Sequence, residues 1–275
     1  MLASDESARV IAGGQTLVPM MAMRLARPTL LIDINRIAEL SYIRADSDAV
    51  SIGATTRQCL LERDRLIAAK LPLLAHAIPF IGHAATRARG TVGGSLANAD
   101  PAAELPLIAI TMDAVLEYRA GGRTEKIPAR DFYIGPMTTA LPGGAVLSAV
   151  RFPVWPGKIG IGFHEVNARR SDFAFVAAAA QVELDGVGNC KRIAIGVGAA
   201  TDFPIRLTYA EKRLAGGTLD ATAVKKAVVE ALADIVPLSD LHASAEYRRR
   251  VAANLAARAV DDARSRASGK KIHAH

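Results

Sequence analysis

Gly90-Thr91-Val92-Gly93-Gly94-Ser95-Leu96-Ala97-Asn98-Ala99-Asp100-Pro101-Ala102-Ala103-Glu104-Leu105-Pro106 is the most informative stretch of this 275-residue chain. Its glycine pair sits where the apolar pattern breaks, and the small polar residues Ser95 and Asn98 follow. A second pair stands near the N-terminus, in Ala12-Gly13-Gly14-Gln15-Thr16-Leu17. Glycine lets backbone N–H groups approach a bulky anion that a Cβ would push away. Two such segments can clamp one pyrophosphate from both sides. Taken alone, each pair could also be a tight turn between packed elements. Neither fits G-x-G-x-x-G, and no G-K-[ST] follows a glycine run, so Rossmann and P-loop fingerprints are absent.

Outward from these segments the predicted elements are mixed. A short apolar segment covers 8–11, a helix 17–27 and a buried strand 30–34. Residues 42–44 and 50–52 form a hairpin around Asp46-Ser47-Asp48. A helix is predicted over 56–69, then an apolar, proline-interrupted run over 71–81 and a compact apolar helix over 103–110. A second hairpin joins 115–119 to 124–127 through Gly121-Gly122, and a strand covers 147–152. Pro153, Pro156 and Gly157 then end the pattern, and a domain boundary is placed there. The second half reads as a strand over 160–166, an alanine-rich helix over 173–180, and strands 180–184 and 190–197 paired around Asp185-Gly186. Amphipathic helices follow over 222–235 and 244–266, the last capped by Ser244. The lack of a regular βαβ alternation argues against a Rossmann sheet.

Composition narrows the function. At 29.0 kDa and 51% hydrophobic residues the chain can hold one large domain or two modest ones. No stretch of about 18 residues is apolar throughout, so no transmembrane segment is expected. The N-terminus lacks a secretory pattern, which makes the cytoplasm the expected location. Cys59 and Cys190 cannot supply four ligands to an iron–sulfur cluster and read as free thiols. The net charge of +7 invites nucleic acid, but much of the excess lies toward the C-terminus and no basic stretch is interleaved with aromatics. No metal-ligand spacing, acid/base pair or Ser-His-Asp set stands out; Arg87 and Arg89 could steer phosphate or solvate a loop. That absence suits a redox role in which a cofactor carries the chemistry.

Ala12-Gly13-Gly14-Gln15-Thr16-Leu17-Val18-Pro19, followed by Arg24-Leu25-Ala26-Arg27-Pro28, resembles the first FAD-binding loop of the flavoprotein (medium) subunit of molybdenum hydroxylases, the xanthine dehydrogenase and carbon monoxide dehydrogenase family. The stretch from Gly90 to Pro106 resembles the second loop. Arg169-Arg170-Ser171-Asp172-Phe173-Ala174 and Ala243-Ser244-Ala245-Glu246-Tyr247-Arg248 extend the resemblance, in order, over nearly the whole chain.

The resemblance implies an α+β fold. An FAD-binding domain of two α+β subdomains (PCMH/vanillyl-alcohol-oxidase-like) would occupy 1–155. A C-terminal domain with a small antiparallel sheet and helices would occupy 158–266, with a disordered tail over 267–275. Ala12, Gly13, Gly14, Gln15 and Thr16 would wrap the FAD pyrophosphate with backbone amides, and Thr91, Val92, Gly93, Gly94 and Ser95 would do so from the other side. Glu104 would accept hydroxyls of the cofactor's polar chain. Ile81 and Leu141 would line the flavin or adenine pocket. His164 falls where some relatives carry a lysine close to the flavin. Such relatives have roughly one more helix and strand ahead of the first loop than stands here.

The implied role is electron transfer within a heterotrimer or a dimer of heterotrimers. A large molybdopterin subunit would hold the molybdenum cofactor, and a small iron–sulfur subunit two [2Fe-2S] clusters. Electrons would reach FAD in this chain and leave to an external acceptor such as NAD⁺, a quinone, a cytochrome or oxygen. A stand-alone FAD reductase or oxidase, and a scaffold that has lost flavin, are the alternatives.

Overall fold

The computed structural model describes Leu2 and residues 4–269. β1 (Arg9–Ile11) pairs in parallel with β2 (Leu31–Asp33), and α1 (Leu17–Ala22) lies between them in sequence. α1 is shorter than predicted. Leu25 N and Ala26 N both donate to Met20 O, and Arg24 takes a φ of 59°, so the chain hooks back. The first hairpin forms from β3 (Ile43–Ala45) and β4 (Ala49–Gly53), its turn held by Asp46 Oδ1 accepting from the amides of Asp48 and Ala49. The single helix expected over 56–69 is two, α2 (Gln58–Leu61) and α3 (Arg65–Lys70). Asp64 is extended between them and caps the amides of Leu66 and Ile67. Its preference for the N-cap interrupts an otherwise continuous apolar face.

α4 (Pro72–Ala77), a 3₁₀ turn at Ile78–Phe80, α5 (Ala84–Arg89) and α6 (Val92–Asn98) lead to α7 (Glu104–Thr111). Every residue of α7 is buried, as in a helix at the centre of a core. β5 (Val115–Ala120), β6 (Arg123–Pro128), α8 (Ala129–Phe132), the short pair β7 (Tyr133–Gly135) and β8 (Thr138–Thr139), and β9 (Val146–Pro153) follow. The order β3-β4-β9-β5-β6 makes a five-stranded antiparallel sheet with β9 at its middle.

Beyond Pro156 and Gly157 a four-stranded antiparallel sheet runs in sequence order through β10 (Ile159–Val166), β11 (Val176–Leu184), β12 (Cys190–Gly198) and β13 (Ile205–Arg206). α9 (Thr208–Leu214), α10 (Ala221–Ala231) and α11 (Ala245–Ala267) complete the fold. The alanine-rich helix expected over 173–180 is instead the first half of β11. Alanine favours helices, but both faces of this strand are covered. Ala177 and Ala179 belong to the core that contains Phe152 and Leu107, and Ala178 and Ala180 to the core under α11. A Cβ on Gly160 would lie 1.8 Å from Ala263 O, and one on Gly162 2.1 Å from Ala259 O. Helix and sheet therefore meet backbone to backbone, small residues are required on both, and packing overrides propensity. Ser244 caps α11 as predicted, its Oγ accepting from Tyr247 N. α11 runs to Ala267, where a disordered tail was expected to begin; residues 270–275 of that tail lie outside the described residues.

Alternation along β10 decides what each side chain meets. Ile161 and Phe163 enter the core shared with the five-stranded sheet, and Glu165 has the same parity. Gly160, Gly162 and His164 face α11.

Candidate functional site

A cleft of about 1520 Å³ opens between the two glycine segments. One wall is the loop 12–16 with α1 and the hook after it. The floor carries Gln58, the start of α6 and Glu104. The far wall comes from the loop 168–175, Ala199 and Leu238 to Arg248. Of the residues singled out in the sequence, Ala12, Gly13, Gly14, Gln15, Thr16, Ile81, Thr91, Gly93, Gly94, Ser95, Glu104 and Leu141 all border this one cleft.

The first loop presents donors. Among the described residues, the N–H groups of Gly13, Gly14, Gln15 and Thr16 take no acceptor within the protein. Gly14 has a φ of 71°, a left-handed turn that favours glycine. Asn35 Nδ2 donates to Ala12 O at 2.7 Å, Arg57 Nη2 donates to Asn35 Oδ1 at 2.8 Å, and Arg57 Nη1 donates to Arg89 O. A Cβ on Gly13 would stand 2.5 Å from Arg89 O and 2.9 Å from Gly90 Cα. The two glycine segments are thus in backbone contact.

The second segment differs from the expectation of a mirror-image amide cradle. Thr91 is the N-cap of α6, and Gly94 N donates to its Oγ1 at 3.1 Å. Val92 N donates to Thr56 O, Gly93 N to Ala54 O and Ser95 N to Thr91 O. These amides are occupied inside the fold, so this side offers close approach and the Ser95 hydroxyl. Val92 is fully buried in the core beneath. Gly93 is needed because its Cβ would lie 2.4 Å from Ala54 Cβ.

His164 is not at the cleft. Its place on β10 turns it toward α11, where its Nε2 lies 3.0 Å from Asp262 Oδ2. Arg87, considered for phosphate steering, is buried and committed to Glu62 and to the carbonyls of Ile81 and Gly82. Sequence reasoning missed Asn35, Arg57 and Gln58, and assigned no role to Arg248. The Asx turn at Asp33-Ile34-Asn35 was a local signal for the first of these. The other three depend on long-range contacts. Arg248, almost fully buried in the first turn of α11, donates to the carbonyl oxygens of Phe175 and Ala199 and pairs with Asp240, fixing the far wall.

Glu104 is 8% exposed. Burial, reinforced by Asp100, pushes its carboxyl up to about 7, against the opposing pull of its own backbone amide and Arg87. Asp100 is also raised by burial. The folded chain then holds a proton on Glu104 that the unfolded chain releases from about pH 4.5 upward. Stability should fall as pH rises from about 4.5 to 7 and level off above, a loss of about 3 kcal/mol from this group. The expected result is that Glu104→Gln raises the melting temperature of the cofactor-free chain at pH 8 and not at pH 4.5. Equal shifts at both pH values would contradict it.

Comparison with known proteins agrees with this geometry. Residues 1–155 match the family described as the FAD binding domain in molybdopterin dehydrogenase, and residues 162–263 the CO dehydrogenase flavoprotein C-terminal domain. The chain belongs to the FAD-binding medium subunits of the molybdenum hydroxylases. This medium subunit is 37% identical to the carbon monoxide dehydrogenase medium chain of Afipia carboxidovorans, over 95% of its own length and 91% of the relative. It is 36% identical to the 6-hydroxypseudooxynicotine dehydrogenase complex subunit alpha of Paenarthrobacter nicotinovorans, over 97% and 90%. Its fold matches the solved structure of reconstituted CO dehydrogenase from Oligotropha carboxidovorans with a TM-score of 0.93 at 36% identity, covering 96% of this chain and 93% of that one. The medium subunit is therefore part of an oxidoreductase and an FAD protein. The residues fit that cofactor: consecutive free amides suit a pyrophosphate, and the cleft exceeds the usual range of about 300–1,000 Å³ for small-molecule sites. No helix among the described residues is long and apolar enough to cross a membrane.

Proposed function

We propose that this medium subunit relays electrons within a molybdenum-dependent dehydrogenase, receiving them from a partner's iron–sulfur clusters and delivering them to an external acceptor. The observation that carries the reading is the run of free amides at Gly13 to Thr16, held in backbone contact with the second segment. Bound FAD supplies the redox chemistry, and the protein orients it. Residues 12–16 bind the pyrophosphate through their N–H groups, and Ser95 adds a hydroxyl from the other side. Ile81 and Leu141 keep water from the ring system, and Glu104 engages the polar chain. Arg248 holds the loop 168–175 against the mouth of the cleft.

A division into an FAD-binding domain over 1–155 and a C-terminal domain over 158–266 suits this arrangement, with the cleft between them. The partners are a small subunit with two [2Fe-2S] clusters and a large subunit with the molybdenum cofactor, in a heterotrimer or a pair of heterotrimers.

Co-expression with candidate iron–sulfur and molybdenum subunits tests the reading. The chain should purify in a stoichiometric complex whose flavin absorbance bleaches on addition of the large subunit's substrate, and only in the complex. A chain that stays alone and turns over a substrate by itself would support a stand-alone reductase instead.

A further inference from the structure

We infer that Gln58 is a binding residue for the anionic part of the cofactor: its carboxamide supplies, from the floor of the cleft, the side-chain N–H donor that the second glycine segment lacks. The identity of the anion rests on the FAD reading above; the uncommitted donor does not.

Gln58 opens α2 directly after Arg57, which is extended. Its backbone N–H donates to Gly90 O at 3.0 Å, so the residue is tied to the start of the second segment. Its side chain borders the cleft yet is only 4% exposed. A Cβ on Gly90 would lie 2.6 Å from Gln58 Oε1 and 3.0 Å from its Cδ. The carboxamide therefore lies against the residue that also meets Gly13. That places it beside the contact between the two halves of the clamp.

In this position the carboxamide is poorly satisfied. Among the described residues, Oε1 is sealed from solvent and has no donor. Nε2 reaches one acceptor, Thr91 O, at 3.5 Å, the long limit of a hydrogen bond, and its second N–H has none. Buried polar groups are ordinarily paired, and an apolar side chain of the same reach would fill this space without an orphaned oxygen. Packing alone therefore does not account for a glutamine here.

The need for a donor does. The amides of Val92, Gly93, Gly94 and Ser95 are taken up inside the fold, whereas the first loop offers free amides from the adjoining wall. Arg57 is engaged with Asn35 and Arg89 O. A carboxamide turns about its last torsion, and a bond from its N–H to a phosphate oxygen is charge-assisted. Hydrogen bonds that are long in an empty site commonly tighten when the ligand arrives.

The test uses the full chain, Gln58→Met and Gln58→Glu. Methionine keeps the reach and removes both polar atoms; glutamate keeps the shape and, ionised, cannot donate. The probes are FAD and ADP, which carries a diphosphate without the flavin, each titrated by calorimetry. Gln58→Met should bind both about tenfold more weakly or worse, while its melting temperature without ligand is unchanged or higher. Gln58→Glu should bind more weakly still, through repulsion between like charges. Native affinity in Gln58→Met would overturn the inference. So would lost affinity accompanied by a lower melting temperature, the pattern of a structural residue. If Gln58→Met fails to fold by near-ultraviolet circular dichroism, the native chain decides. Its Gln58 side-chain amide resonances should shift and exchange more slowly with ADP bound, and unmoved resonances would overturn the inference. A chain that binds ADP through Gln58 but refuses FAD would contradict the proposed function and leave the donor standing. A chain that binds neither probe overturns both.

Discussion

Gly13→Ala is expected to lower FAD affinity at least about a hundredfold, equivalent to roughly 2.7 kcal/mol of binding, while the chain stays folded. The added methyl would sit 2.5 Å from Arg89 O and 2.9 Å from Gly90 Cα. Both are backbone atoms, and Arg89 O is also held by Arg57. Neither can swing aside, so the two segments must separate. Overpacking of this kind costs about 1–3 kcal/mol of stability, within what a folded domain tolerates. The binding loss follows because free amides recognise an anion only when the loop keeps its shape. Gly186→Ala serves as the control, since a methyl there meets nothing within 4 Å. Fluorescence titration with FAD checks both variants. Native-like affinity in Gly13→Ala would show that the contact between the segments does not shape the site.

Gly162→Val should destabilise the chain by about 3 kcal/mol or more, lowering the melting temperature by roughly 6–12 °C. The new Cβ would lie 2.1 Å from Ala259 O and 2.8 Å from its carbonyl carbon. α11 would have to lift from β10, opening a core that contains Ala256, Ala259, Val260 and Ala263. Because the obstacle is backbone, trimming the helix should not help. Adding Ala259→Gly to Gly162→Val is expected to restore nothing, as measured by thermal unfolding. Recovery in the double variant would mean that side chains, not the helix backbone, set the spacing.

The two glycine segments announced themselves because each sits at a break in the apolar pattern with small polar residues behind it. Their contact could not be read in the same way, since it joins Gly13 to Arg89 and Gly90 through a network anchored by Asn35 and Arg57. The hairpins at 43–53 and 115–128 were readable from alternation and turn residues, which act locally. The alanine run of β11 was not, because its environment is made by α11, far along the chain. The amides of Val92 to Ser95 illustrate the same limit. A glycine pair signals close approach, but whether the approach serves a ligand or the neighbouring backbone of Ala54 and Thr56 depends on the fold. Strand parity in β10 decides between His164 and Glu165 as the residue turned toward the first core. A one-residue difference in register reverses that choice.

The most direct test of the account is a titration of the purified chain with FAD, followed by release and identification of the bound cofactor. One equivalent of FAD per chain is predicted, with a flavin absorbance spectrum and loss of binding in Gly13→Ala. A well-folded chain that stays colourless in excess FAD would contradict the assignment of the cleft.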